Sequence, residues 1–452
     1  MSSELPPKIQ ELIRQYGVDY VRFLYVDLSG QIRGKITSIQ SFESRVKTGI
    51  GLVKGMLAQN MLDKMQTDTG LGATGEVRMV PDLESFTYLP YAAPAASLVC
   101  DLIQLDCKPW QFCPRDLLKQ QILRLEEHGL SIQAAYEPEY MIGRFDLEGD
   151  LFNPIDTDVC FGTEAMDLAN EFYRDLLECL YIQGIKVEQI YPELGHGQHE
   201  ISIKYAPALE ACDKYIILKE AIRGVANSKN LFFTAAPKPF ENQPGNGCHL
   251  HFSIWDKENK KNMTGSGDGD GLSTIARNFI AGLVSHLPAL VSFTCPSVNS
   301  YRRLKPKSWS SAYTCWGLDN REAAVRVPSV YWGREEESAN IELKCVDNTI
   351  NPHLAMAAVI ACGLDGVEQK LEPPPPVQGD PHELTPDEMK AGQVTRLPES
   401  LNNALIELET DLYLKKALGE TFTNTYITVK TSEVSAFALD SDFELAQHRI
   451  RY

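Results

Sequence analysis

The chain has 452 residues, too many for one simple core and enough for two domains or one large domain with an appendage. Hydrophobic residues at 43% and charged residues at 23% are values of a globular protein with a sizeable interior. A formal charge of −18 argues against nonspecific binding to nucleic acid or to an anionic membrane, because phosphate attraction needs Lys and Arg in excess.

The start, MSSELPPKIQELIRQYG, has acidic residues and early prolines but no apolar core followed by small residues, so it does not read as a secretory signal. Within it Ile9, Leu12 and Ile13 share one helical face and Gly17 is a natural stop. The next stretch, YVRFLYVDLSGQIRGKITS, alternates apolar and polar residues on both sides of Ser29-Gly30, which predicts a hairpin. Apolar runs such as AASLVCDLIQL extend a small mixed sheet that ends near residue 105. From CPRDLLKQQILRLEEHGL onward longer helices are expected, at 166–183, 214–227, 274–290 and 352–367, between strands that carry charges at alternate positions. No window reads as an unbroken membrane span. LEPPPPVQGDPHELTP predicts a stiff surface loop before C-terminal helices. The 11 cysteines are scattered singly without a CxxC pair, which fits reduced thiols and a cytoplasmic protein. Trp255, Trp316 and Trp332 are expected in core or interface packing.

QAAYEPEYMI sets Glu137 and Glu139 two residues apart in an apolar run. On a strand such residues face the same side, and two like charges held together need a cation. A lone pair of this kind is more often a solvated edge strand, since carboxylates are mostly exposed. Further donors lie in the same kind of context: Glu193 and Glu200 in YPELGHGQHEISI, His249 and His251 in GNGCHLHFSIW, and Glu342 in NIELKCVD. Carboxylates with a histidine suit hard divalent ions such as Mg²⁺ or Mn²⁺, whereas zinc would want more His or Cys.

EPE, ELGHGQHE, APKP, GNGCHLHFS, NSYRR, DNREAAVRVP, IELK and NPHLAMAAVIACGLDG follow one another in an order and spacing that resemble the glutamine synthetase family over nearly the whole chain. The resemblance implies an α+β protein with an N-terminal β-grasp domain, here 1–105, and a catalytic domain, here 106–452, whose antiparallel strands form an open funnel surrounded by helices. It further implies ATP as co-substrate, two or three divalent ions per active site, and a ring of ten or twelve subunits, expected here as a dodecamer with active sites between subunits. By matching position, Glu139, Glu193 and Glu200 hold one metal, while Glu137, His249 and Glu342 hold the other. Arg303 matches a grip on the α-carboxylate of glutamate, Gly245 a close backbone approach to it, and Arg321 and Arg326 the residues that face the acyl phosphate and the nucleotide phosphates. His251 and Ser253 match nucleotide contacts. In this chemistry ATP phosphorylates a carboxylate and an amine displaces the phosphate.

The sequence departs from the family where the amine should sit. The glutamate that closes over the pocket and takes a proton from ammonium falls on Trp309, which cannot accept one. The aspartate that helps bind ammonium across the subunit interface falls on Lys54. Lys344 replaces an arginine without its bidentate fork, and Asn340 and Glu337 also stand at altered positions. The expectation is therefore a ligase joining glutamate to an organic amine. The alternatives are a glutamine synthetase using ammonia and a silent nucleotide-binding member of the family.

Overall fold

The computed structural model describes residues 5–146, 151–266 and 271–452. The first helix, Pro7–Tyr16, ends as expected on Gly17 in a left-handed conformation. Strands Tyr20–Val26 and Ile32–Ser38 pair antiparallel around the Ser29-Gly30 turn, and Tyr20–Val26 runs parallel to Ala95–Gln104 on its other side. Glu76–Pro81 and Ile50–Val53 complete that path, with Thr87–Leu89 alongside. Helix Ile39–Thr48 buries Phe42 against Phe23 and Phe86. The hairpin tip, where solvent is the usual neighbour, is buried instead. Asn351 donates to the carbonyls of Val26 and Asp27, and the Ser29 hydroxyl donates to Glu433 at 2.6 Å.

A ten-stranded sheet carries the rest of the fold. Its path runs Trp316–Leu318, Val325–Val327, Ile341–Leu343, Cys248–Asp256, Leu130–Asp146, Gln198–Ile203, Val187–Pro192. Neighbours on this path are antiparallel, except that Trp316–Leu318 runs parallel to Val325–Val327. Three short strands, Leu151–Pro154, Ala206–Pro207 and Phe232–Thr234, also pair with the long strand Leu130–Asp146. Helices Pro114–Glu127, Thr274–Thr294, Pro352–Gln369 and the first half of Ala208–Ser228 back this sheet with a large apolar core, and the second half of Ala208–Ser228 packs a second core with helix Asn170–Ile182.

The structure corrects two expectations. The helix expected at 166–183 is two helices, Thr163–Leu168 and Asn170–Ile182, meeting at Ala169. Thr274–Thr294 is, by length and composition, apolar enough to cross a membrane, but most of it is buried inside the fold. Trp316 is buried as expected, with its indole donating to the Pro374 carbonyl at 2.6 Å, whereas Trp332 is 99% exposed in the single chain, which leaves interface packing as its expected role. All eleven cysteines are free thiols.

Candidate active site

Cross-strand register brings the predicted donors together. Glu200 stands directly opposite Glu139, His249 opposite Glu137, and Glu342 opposite both His251 and Arg326. Two like charges placed opposite each other destabilise a sheet, so the Glu139–Glu200 pair asks for a cation. Glu139, Glu200 and His249 offer ligand atoms that all lie within 4.8 Å of one another. This group cuts across the expected division into two metal sets. Glu193 lies beside the Cys160 thiol, 3.8 Å away, and Glu137 is 3.2 Å from the His251 imidazole. Hard carboxylate oxygens with one imidazole fit a divalent ion such as Mg²⁺ or Mn²⁺.

The cluster has two electrostatic ends. Burial lifts the Glu139 carboxyl to about 7, against the pull of Arg303 and the Gly247 amide. Burial, then Glu137 and Glu139, hold Glu200 well above the usual carboxylate range, and the Tyr191 hydroxyl donates to it. Glu193 is also raised, chiefly by burial. At the other end burial works against the charge of Glu342 but is overruled by Lys344, His251, His249 and Arg326, so its carboxyl lies well below the ordinary range. Arg326 donates to Glu342 at 2.7 Å and Lys344 lies 3.5 Å from it. Burial opposes charge on His251, yet Glu137 and Glu342 raise it to about 10. Burial and then Lys344 keep His249 neutral, the form that binds metal.

Beside the carboxylates lies a buried cation. Arg303 is buried at the end of the short helix Ser300–Arg303, and its Nη1 has no hydrogen-bond partner among the described residues. A buried guanidinium nitrogen without an acceptor is costly, which fits a carboxylate ligand. A Cβ on Gly247 would lie 2.7 Å from Arg303 Nη2 and 3.0 Å from both Glu139 Oε1 and His249 Nε2. The Arg303 guanidinium, the Glu139 carboxylate and the His249 imidazole converge on that space. A side chain at Gly245 would likewise strike the Pro237 carbonyl and the Arg303 stem.

The remaining predicted residues are placed less directly. Arg321 is exposed, with its charge felt at Glu193. His251 is hydrogen-bonded through Nδ1 to Asn340 at 2.9 Å, and the Ser253 hydroxyl accepts from the Trp255 indole at 2.8 Å. Glu337 pairs with Arg334 on the surface. Lys54 packs along Gly75 within the N-terminal sheet, and no contact among the described residues joins it to the carboxylates.

The segment 304–311, which carries Trp309, is held in a strained form. Lys307, Trp309 and Ser311 have φ of 57°, 52° and 66°, each costing about 1 kcal/mol or more for a residue with a side chain. Two ties fix it to the turn that follows strand Trp316–Leu318: the Trp309 amide donates to Glu322 Oε1 at 2.9 Å, and the Ser311 hydroxyl donates to the Ala323 carbonyl at 3.0 Å. The Trp309 side chain itself is 59% exposed.

Sequence reasoning missed several supporting residues. The Gln198 amide donates to Glu139 Oε2, the Gly245 carbonyl and Asn246. It lies two residues before Glu200 on one strand face, so the period of two in GQHE could have found it. The Asn348 side-chain nitrogen donates to the carbonyls of Glu139 and Gly247, while its side-chain oxygen accepts from Tyr215 and its backbone carbonyl from Lys219. No local pattern announces that network, nor the contact between Glu322 and the Trp309 amide.

The chain belongs to the glutamine synthetase family: the model of the glutamine synthetase catalytic domain matches residues 111–447, and that of the glutamine synthetase N-terminal domain residues 7–110. It is an ATP-dependent ligase, as the members of that family are. It is 34% identical to a gamma-glutamylpolyamine synthetase of Streptomyces coelicolor, with 96% of this chain and 94% of the relative aligned. It is 32% identical to a glutamine synthetase of Pyrococcus furiosus over 93% and 91% of the two chains. Among solved structures, a novel glutamine synthase homolog superposes with a TM-score of 0.85 at 32% identity over 96% of this chain and 99% of that one. A GmaS chain in complex with ADP superposes at 0.84 with 26% identity, over 98% of each.

Proposed function

We propose that the protein forms a γ-glutamyl amide from glutamate and an organic amine, through a γ-glutamyl phosphate. What supports this reading is the grouping of Glu139, Glu200 and His249 as donors for a hard cation, together with an indole, Trp309, at the position where the family resemblance puts the proton-taking glutamate. Divalent ions, Mg²⁺ or Mn²⁺ at two or three positions, would supply charge neutralisation for phosphoryl transfer. Glu139, Glu193, Glu200, Glu137, His249 and Glu342 are their proposed ligands. Arg303, in the pocket formed by Gly245 and Gly247, orients the glutamate through its carboxylate. Arg321, Arg326 and Lys344 face the acyl and nucleotide phosphates, and His251 and Ser253 lie on the nucleotide side. Trp309 shapes the amine pocket by excluding water and covering an alkyl chain. We read the assembly as a cytoplasmic ring, a dodecamer in the simplest case, in which Lys54 of one subunit reaches the amine pocket of the next. The units 1–105 and 106–452 are its two domains.

The likeness to a gamma-glutamylpolyamine synthetase supports this choice of nucleophile. Ammonia is the second reading, favoured by the one observation that a carboxylate, Glu322, does reach the lid at Trp309. A phosphate-release screen of ammonia, methylamine, ethanolamine, isopropylamine and polyamines, each with and without glutamate, separates the two. Turnover with ammonia and none of the organic amines overturns the proposal, and ATP binding without any glutamate-dependent release returns the chain to a silent member.

A further inference from the structure

An amine reaching this site at neutral pH arrives as an ammonium ion, because alkylamines hold their proton up to a pKa of about 10. It cannot attack until that proton has gone to a base. The indole of Trp309 is a donor only. The carboxylates of the strand cluster face one another and the histidines, and Glu342 is matched by Arg326 and Lys344. Near the lid, Asp319 is held by the backbone and hydroxyl of Ser329 and lies 3.7 Å from Arg326.

Glu322 is different. Its backbone is fixed by the Asn320 side chain, which accepts from the Glu322 amide at 3.0 Å, and Asn320 is in turn clamped to the carbonyls of Val377 and Gly379. Its Oε1 accepts from the lid at Trp309. Among the described residues its Oε2 has no hydrogen-bond partner. We propose that Glu322 is the base of the amine pocket: its carboxylate, held at the lid by the Trp309 amide, receives the proton of the incoming ammonium. Its electrostatics fit that role. Burial and the nearby Asp380 hold its carboxyl above the ordinary range, against the Trp309 amide and then Lys344, which pull it down, and a raised carboxyl is a better proton acceptor.

This rests on the ligase reading above, whichever amine is used. The ammonium gives its first proton to Glu322 Oε2, and the freed lone pair forms the C–N bond at the acyl carbon. The C–O bond to phosphate breaks with its electron pair, and the second proton leaves the nitrogen with the departing phosphate. Trp309 then shapes the amine while Glu322 deprotonates it.

Hydroxylamine tests this, because it is already neutral at neutral pH and needs no base before it attacks. The full-length enzyme and its Glu322→Gln and Glu322→Asp variants are assayed with glutamate, ATP and either hydroxylamine or the best amine of the screen. The ratio of amine to hydroxylamine turnover should fall about 100-fold or more in Glu322→Gln, in the range of a lost general base, and recover in part in Glu322→Asp. An unchanged ratio overturns the proposal, whether both activities persist or both fall together. Wild-type enzyme that makes neither hydroxamate nor an amide with any amine of the screen would instead refute the ligase reading, so the two failures are distinct.

Discussion

Along one sheet the same side chain, a glutamate, is held in two opposite ways. At Glu139 and Glu200 carboxylates stand across from each other and are pushed toward protonation. At Glu342 the carboxylate is surrounded by Arg326, Lys344 and two imidazoles and is held ionised. The first end is unbalanced without an added cation, and the second is neutralised by the chain itself. A divalent ion therefore has most to gain at the first end, whereas at Glu342 it must compete with cations already in place.

Removing each carboxylate should break the comparison if it is wrong. Glu200→Gln should cost about 100-fold or more in turnover, the scale of losing one electrostatic stabiliser of phosphoryl transfer. It should also raise the melting temperature of the metal-free protein, because a repulsion is lifted, and reduce the thermal shift on adding Mg²⁺. Glu342→Gln should do the reverse, destabilising the metal-free protein by about 3–5 kcal/mol because buried cations lose their partner. Matching signs for the two variants in a thermal melt would end the argument.

The pH dependence sharpens the same contrast. For Glu139 the folded carboxyl, at about 7, lies above its unfolded value of 4.5, so between those values the native state binds more protons. The metal-free protein should lose stability as pH rises through that window, and saturating Mg²⁺ should flatten the slope. Glu342, depressed in the fold, contributes stability that is lost only as pH falls below the ordinary carboxylate range. Urea titrations across pH, with and without chelator, read both. The smallest effect is expected at Gly247→Ala, where the added methyl meets Arg303 and Glu139. KM for glutamate should rise about tenfold, as expected when about 1.4 kcal/mol of binding is lost, with little change in melting temperature.

What the sequence made legible follows from periodicity. Glu137 and Glu139, or His249 and His251, lie two apart on strands, and that spacing alone puts each pair on one face. The helix ending on Gly17 and the hairpin at Ser29-Gly30 were likewise local matters of cap and turn. The split at Ala169 and the exposure of Trp332 were not, because neither a break between two helical turns nor the absence of a neighbour has a pattern in the residues themselves. Glu322 shows the limit most clearly. It lies 13 residues beyond Trp309, in a turn whose shape depends on Asn320 and the loop at 377–379, so only the folded chain reveals that an acid accepts from the Trp309 amide.

The buried hairpin tip carries a consequence for how the molecule is made. Ser29 finds its acceptor in Glu433, 404 residues later, and the carbonyl of Ser29 accepts from the hydroxyl of Tyr452. A nascent chain leaving the ribosome at roughly 5–20 residues per second holds these polar groups unmatched for tens of seconds. The N-terminal sheet must wait, its tip unmatched, until the last helices emerge to close over it.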